Sequence, residues 1–174
     1  NQAAALGLQF NVKKTKLMVV GKQQVGEVIL INGEAIEAVE DFCYLGSFIS
    51  ANSSCDKEIR ARIGKANSTF GRLSNVWATK TLSTKTKFRL YVALILSTLL
   101  YGSETWPMTV ANMKRLEAAH HKWQRKILHI SWKEMATNEE VRARSGLEKL
   151  EVSLRQRRLR WLGHLHRMER ERIP

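Results

Sequence analysis

The sequence predicts an α+β fold that is mostly α, with a small antiparallel β element in residues 1–50 followed by a helical domain. Two observations carry this. Short runs of β-branched and aromatic residues give way near residue 50 to apolar residues spaced three and four apart, and the only Asn-Gly pair, Asn32-Gly33, directly follows one of those β runs. The 174 residues and 44% hydrophobic content allow one ordinary core or two small lobes, and nothing in the composition suggests disorder.

The chain opens on Ala3, Ala4, Ala5 and Gly7, a pattern like the last turn of a helix with a left-handed cap, so it is expected to have been cut from something longer. Strand signals follow at Leu17 to Val20, Val28 to Ile31 and Phe42 to Ile49, the second running into a hairpin turn at Asn32-Gly33. Glu34, Glu37 and Glu40 read as a solvated strand edge. Past Ser54, with Ser53, Ser54 and Asp56 as start signals, Ile59, Ile63, Phe70, Leu73 and Trp77 fall on one helical stripe, which Gly64 and Gly71 weaken.

A second helix should begin at Ser83 or Thr84 and stop at Gly102. It is apolar almost all round after Tyr91, which predicts the central helix of the core, with Leu94 among its buried residues. A third, from Thr109 to about Ile130, sets Met113, Leu116, His120, Trp123, Ile127 and Ile130 on one face and a basic back of Lys114, Arg115, Lys122, Arg125 and Lys126 mostly elsewhere. Thr137 and Glu140 form a capping box that opens a short helix closed by Gly146. The last helix runs from about Val152 to Arg172, and no internal repeat or low-complexity linker is seen.

Lys and Arg total 29 against 16 Asp and Glu, a formal net charge of +13, and the pI is about 10.1. Such an excess points to a polyanion, because releasing counterions from phosphates drives binding without any reading of sequence; a solvated basic surface is the bland alternative. The longest apolar run, Leu90 to Tyr101, is broken by Ser97 and Thr98 and is too short to cross a bilayer, so no membrane is expected as a partner. The first thirty residues hold no apolar stretch behind a basic start, so no secretory leader is expected. Cys43 and Cys55 are the only cysteines, lack CxxC spacing, and read as reduced, small buried hydrophobes in an intracellular chain.

Catalytic signatures are missing. Two-metal nucleotidyl transfer needs carboxylates converging on ions about 4 Å apart, whereas this chain has two aspartates, Asp41 and Asp56, neither beside a second one. His164 and His166 are two residues apart, roughly 200° around a helix, and adjacent His120 and His121 fit zinc no better. Neither a nucleophile elbow nor a Gly-rich phosphate loop is present. No catalytic or metal residue is therefore assigned, and no cofactor is expected in this chain.

What stands out is the end of the chain, where Arg155, Arg157, Arg158, Arg160, Arg167, Arg170 and Arg172 face only Glu169 and Glu171. An apolar stripe of Leu154, Trp161, Leu162, Leu165 and Met168, joined by Arg158, would leave Arg155, Arg157, Arg160 and Arg167 facing outward to bind phosphate in bidentate fashion. Trp161 would either pack into the core, the ordinary reading, or stack on an exposed base. Lys13, Lys14 and Lys16 flank Thr15 and serve equally well as a solvated loop or as phosphate contacts.

Three stretches, in order along the chain, resemble the reverse transcriptases of non-LTR, LINE-like retrotransposons. Gly7-Leu8-Gln9-Phe10-Asn11-Val12-Lys13-Lys14-Thr15-Lys16 is similar to the family's GLxxNxxKTK segment at the end of the palm, and Phe42-Cys43-Tyr44-Leu45-Gly46 to its FxYLG primer grip. The third set is Leu100-Tyr101-Gly102-Ser103-Glu104-Thr105-Trp106, Ile130-Ser131-Trp132, Thr137-Asn138-Glu139-Glu140 and Arg160-Trp161-Leu162-Gly163-His164.

The resemblance implies that Phe42, Tyr44, Leu45 and Gly46 hold a primer end, that Lys14 and Lys16 lie near nucleotide phosphates, and that the later helices form a thumb. It divides the chain into the end of a palm with a primer-grip hairpin at 1–50, a helical thumb at 51–132, and post-thumb helices with an Arg-rich tail at 133–174. The family's paired aspartates should precede residue 1. The chain is then expected to bind RNA, DNA or an RNA/DNA hybrid without turnover, with the missing N-terminal polymerase region as a further partner and Mg2+ belonging only to the intact parent enzyme. A host-used nucleic-acid-binding or helical interaction protein and a non-functional relic are the other expectations; the family's copying onto chromosomal DNA implies a nuclear location.

Overall fold

The computed structural model describes residues 11–21, 28–31 and 33–168. The helix end expected at Ala3 to Gly7, residue Asn32, and Arg170 and Arg172 lie outside the described residues. The chain divides into two compact units, residues 1–58 and 59–174. The class is α+β and mostly α, with six helices among the described residues.

Unit 1 carries three two-stranded ladders. β1 (Lys16–Leu17) runs parallel to β4 (Glu37–Ala38), so one pair departs from the antiparallel expectation, and Lys16 is ion-paired across it to Glu37. Glu37 is thus a cross-strand partner as well as an edge residue. β2 (Leu30–Ile31) pairs antiparallel with β3 (Glu34–Ala35), and Gly33 ahead of β3 has φ 82°.

The expected strand from Phe42 to Ile49 is in fact a second hairpin. β5 (Asp41–Tyr44) folds back on β6 (Ser47–Ser50), with Phe42 opposite Ile49 and Tyr44 opposite Ser47. Its two-residue loop puts both Leu45 (φ 49°) and Gly46 (φ 80°) in the left-handed region that tight hairpins demand. Leucine rarely accepts that geometry, at a cost of roughly 1–2 kcal/mol, so the sequence pattern reads straight through the turn.

In unit 2 the aromatic side chains make the core. α1 (Asp56–Arg72) buries Ile59, Arg62, Ala66 and Phe70, and Ile63 is only half-buried. Arg62 takes its place on the stripe by laying its guanidinium 4.4 Å from the centre of the Tyr101 ring. The helix breaks at Leu73, so Trp77 belongs to a separate short α2 (Ser74–Ala78) and turns back to stack on Phe70 at 5.0 Å. Trp77 Nε1 donates to the Phe70 carbonyl at 2.8 Å, and the buried Lys87 ammonium donates to the Trp77 carbonyl at 2.7 Å.

α3 is built from Thr84–Leu90, a π turn over Tyr91–Leu96, and Ser97–Leu99. Ser97 and Thr98 return their hydroxyls to the carbonyls of Ala93 (2.5 Å) and Leu94 (2.7 Å), which explains two polar residues in an apolar run. Phe88, Tyr91, Ile95, Leu99 and Leu100 are buried, but Val92 and Leu94 are each 41% exposed. Four-residue spacing from Tyr91 to Leu99 leaves the intervening apolar residues outside, so Leu94 is not a core residue and α3 is not buried all round.

α4 (Val110–Ile127) is opened by Thr109, whose hydroxyl accepts from Asn112 N, and buries Leu116, His120, Trp123 and Ile127 as expected. Trp123 stacks on Phe70 at 6.0 Å and approaches Tyr91 at 6.5 Å, closing a cluster drawn from α1, α2, α3 and α4. His120 is 1% exposed, with Nδ1 2.7 Å from the Tyr91 hydroxyl. Burial, then the neighbouring His121 and Arg142, push its pKa down to about 3 and keep it neutral.

α5 (Asn138–Ser145) has the expected capping box and ends at Gly146 with φ 69°. α6 (Leu150–Arg167) has no side-chain cap of its own; instead Glu117 of α4 accepts from Leu150 N at 2.9 Å. Cys55 is buried, but Cys43 is exposed on β5, against the expectation for both.

Leu99→Ala should cost about 2–5 kcal/mol in urea unfolding, while Leu94→Ala should cost about 1 kcal/mol or less. Unfolded His120 takes up a proton near its ordinary 6.5, whereas folded it stays neutral down to about 3. Its contribution to stability is therefore complete above 6.5 and is lost as the pH falls toward 3. His120→Phe should flatten the pH dependence of the unfolding free energy measured in urea in that window, by on the order of 1 kcal/mol per pH unit relative to wild type.

Candidate nucleic-acid interface

In unit 1 the hairpin register sets Phe42, Tyr44 and Ile49 on one face and Asp41, Cys43, Phe48 and Ser50 on the other. The second face is held by the start of α1. Lys57 pairs with Asp41 at 2.7 Å and lies 5.0 Å over the Phe48 ring, and Glu58 accepts from Phe48 N at 2.7 Å. This leaves Tyr44 (58% exposed) and Leu45 (75%) at the tip, with Phe42 half-buried behind them.

Of the two lysines singled out, Lys14 is exposed at the end of a 3-10 turn (Val12–Lys14), and Lys16 is committed to Glu37. The Asn and Thr of that segment act locally: Asn11 Oδ1 accepts from Lys14 N at 3.2 Å, and Thr15 Oγ1 donates back to the Asn11 carbonyl at 2.9 Å.

In unit 2 the arginines of α6 divide into two groups. Arg155, Arg160 and Arg167 are exposed. Arg157, expected to face outward, is half-buried: its guanidinium reaches the Leu100 carbonyl at 3.4 Å and Glu104 at 3.3 Å. Arg158 donates to the Trp106 carbonyl at 2.5 Å, and these two ties fix α6 against the Ser103–Thr105 turn. The expected apolar stripe is also shorter than predicted, since only Leu150 and Leu154 are buried and Leu162 is 61% exposed.

Trp161 lies outside the core, 37% exposed and tilted against His164 at 5.4 Å. With Tyr101, Arg157 and Arg160 it lines a cleft of about 670 Å³. Tyr101 is 49% exposed and backed by Arg62, a contact that no pattern in the sequence announces. Trp106 and Trp123 are buried, whereas Trp132 is 84% exposed.

A second cleft of about 870 Å³ lies along the basic back of α4, lined by Lys114, Lys122, Arg125, Lys126 and Trp132. It shares Lys114 and Glu117 with a groove beside Met108 and Met113, which shares Met113 and Glu151 with a groove along α6. That groove in turn shares Glu104 and Trp161 with the Tyr101 cleft. Neighbouring grooves thus share lining residues in turn from the Trp132 cleft to the Trp161 cleft, with Glu117, Glu151 and Glu104 among them.

Among the described residues no three His, Cys, Asp or Glu side chains gather as metal ligands would. Nor is any helix long and apolar enough to cross a membrane.

No protein-family model matches the chain, and no solved structure does. It is 25% identical over 173 residues to a Caenorhabditis elegans protein named as an uncharacterized transposon-derived protein, a match covering 95% of this chain and 62% of that one. The chain thus spans about three fifths of the length of the relative it matches, and the likeness supports an origin in a transposon.

Proposed function

We propose that this chain is a nucleic-acid-holding piece of a non-LTR retrotransposon reverse transcriptase, binding template-primer or RNA without nucleotidyl transfer of its own. The observation that carries it is the exposed set Arg155, Arg160 and Arg167 on α6, next to a cleft walled by Tyr101 and Trp161. Guanidinium forks suit phosphate oxygens, and aromatic rings accept a base or sugar of any sequence. The hairpin tip with Tyr44 and Leu45 outward accords with a primer-contacting role, and the transposon-derived relative accords with the origin.

On this reading neither aspartate serves as a metal ligand. Asp41 accepts from Lys57 and Ser50, and that pairing, the Lys57 hydrogen bond first, holds its carboxyl below the usual range. Asp56 stands in the first turn of α1. No catalytic step is therefore assigned to this chain.

Replacing Arg155, Arg160 and Arg167 together with Ala should weaken duplex binding and lower the slope of log affinity against log salt by about 2 to 3. Fluorescence anisotropy across a salt series measures both; an unchanged affinity and slope would remove α6 as the binding face.

A further inference from the structure

Trp132 is the most exposed tryptophan of the chain, at 84%, yet its backbone is closely held. It begins a single 3-10 turn (Trp132–Glu134) closed by a reciprocal capping box, in which Ser131 Oγ accepts from Lys133 N and Glu134 accepts from Ser131 N at 3.1 Å. Left-handed residues flank the turn, His129 at φ 56° and Met135 at φ 47°. Glu134 also takes the Arg144 guanidinium at 3.2 Å, and Arg125 donates to the Ala136 carbonyl at 3.1 Å and to Asn138 at 2.8 Å. An indole held out in water by two left-handed residues, a capping box and two arginine ties is poorly explained as packing, because residues in sparsely populated backbone regions persist where the surroundings impose them.

The wall beside it is cationic. Lys114, Lys122, Arg125 and Lys126 line the same cleft, opposed there by Glu117 alone, and Glu117 is occupied by Leu150 N and His121. Among the described residues no carboxylate pairs with the Lys114, Lys122 or Lys126 ammonium; Lys126 lies 5.9 Å over the Phe70 ring, and Lys133 lies 6.0 Å over the Trp132 ring itself. A flat aromatic platform beside ammoniums free of carboxylates is the arrangement that holds an unpaired nucleotide, its base on the ring and its phosphates on the lysines. A duplex keeps its bases stacked on one another and offers the indole no base face.

We infer that the Trp132 cleft is a second, single-strand-selective nucleotide site, separate from the α6 arginines, at which an unpaired base stacks on Trp132 with its neighbouring phosphates on Lys122 and Lys126. The inference rests on the nucleic-acid-binding reading, and it adds where and in what form the unpaired strand is held.

The test is fluorescence anisotropy of the whole chain with a labelled single-stranded RNA, the same sequence as single-stranded DNA, and a blunt duplex of equal length. Trp132→Ala should weaken both single strands about tenfold, with Trp132→Phe restoring most of the loss. Duplex affinity should stay within about twofold and the salt slope should not change, since no charge is removed. Lys122→Ala with Lys126→Ala should instead lower the single-strand slope by about 1. An unchanged melting temperature for Trp132→Ala confirms that the fold is intact. If wild type binds single strands and Trp132→Ala binds them equally well, or loses duplex as much as single strand, this site is wrong while the broader reading stands. If wild type binds none of the three polymers, both fall.

Discussion

The helical unit depends on a stack of rings. Phe70, Trp77, Tyr91 and Trp123 come from four different helices and meet within 5.0 to 6.5 Å of one another in successive pairs. Aromatic side chains bury large areas and prefer offset or edge contacts, so four of them fix the rotation of each helix about its axis as well as its position. The polar ends are held too, the indoles by the Phe70 carbonyl and Asn67 and the phenol by His120. Once these faces point inward, the basic back of α4 must point out, and α6 lies where Glu117 accepts from its first amide.

The same packing determines which cations remain available. Arg62, Lys87, Arg157 and Arg158 are taken into aromatic or carbonyl contacts, and Arg125, Arg142 and Arg144 tie the loop and helix that follow α4. A net charge of +13 therefore overstates the cationic surface left available to any polyanion. Exposed cations remain on several helices of unit 2, among them Arg60, Arg72, Lys85 and Arg89, but those on the back of α4 and along α6 are the ones that line a cleft with an exposed tryptophan. Charge that has been screened by structure gives a sharper account of binding than charge that has only been counted.

Much of the fold was legible because local chemistry determined it. Thr109, the Thr137 and Glu140 pair, Gly146 and Gly33 each act within a few residues, where sequence and structure can hardly disagree. The errors came where a distant partner decided. Arg62 displaced Ile63 from the buried face because Tyr101 lay opposite, and Arg157 turned inward because Glu104 was within reach. Leu94 was read as core because a π turn is invisible in hydrophobic spacing, and Leu45 was read as strand because it occupies a conformation leucine usually avoids. At the candidate site, Arg155, Arg160 and Arg167 were named from pattern alone. Tyr101 and Trp132 were only members of motifs until their exposure and neighbours were known.

We propose that the chain grips nucleic acid by shape as well as charge and performs no synthesis alone. The most direct measurement is anisotropy of the wild-type chain with an RNA/DNA template-primer, duplex DNA and single-stranded RNA through a salt series, with nucleotide incorporation followed in parallel. Binding should be tighter to the template-primer, which offers a duplex and an unpaired strand together, with no incorporation. Equal, weak binding to all three polymers that vanishes alike with salt would contradict it and leave only non-specific charge.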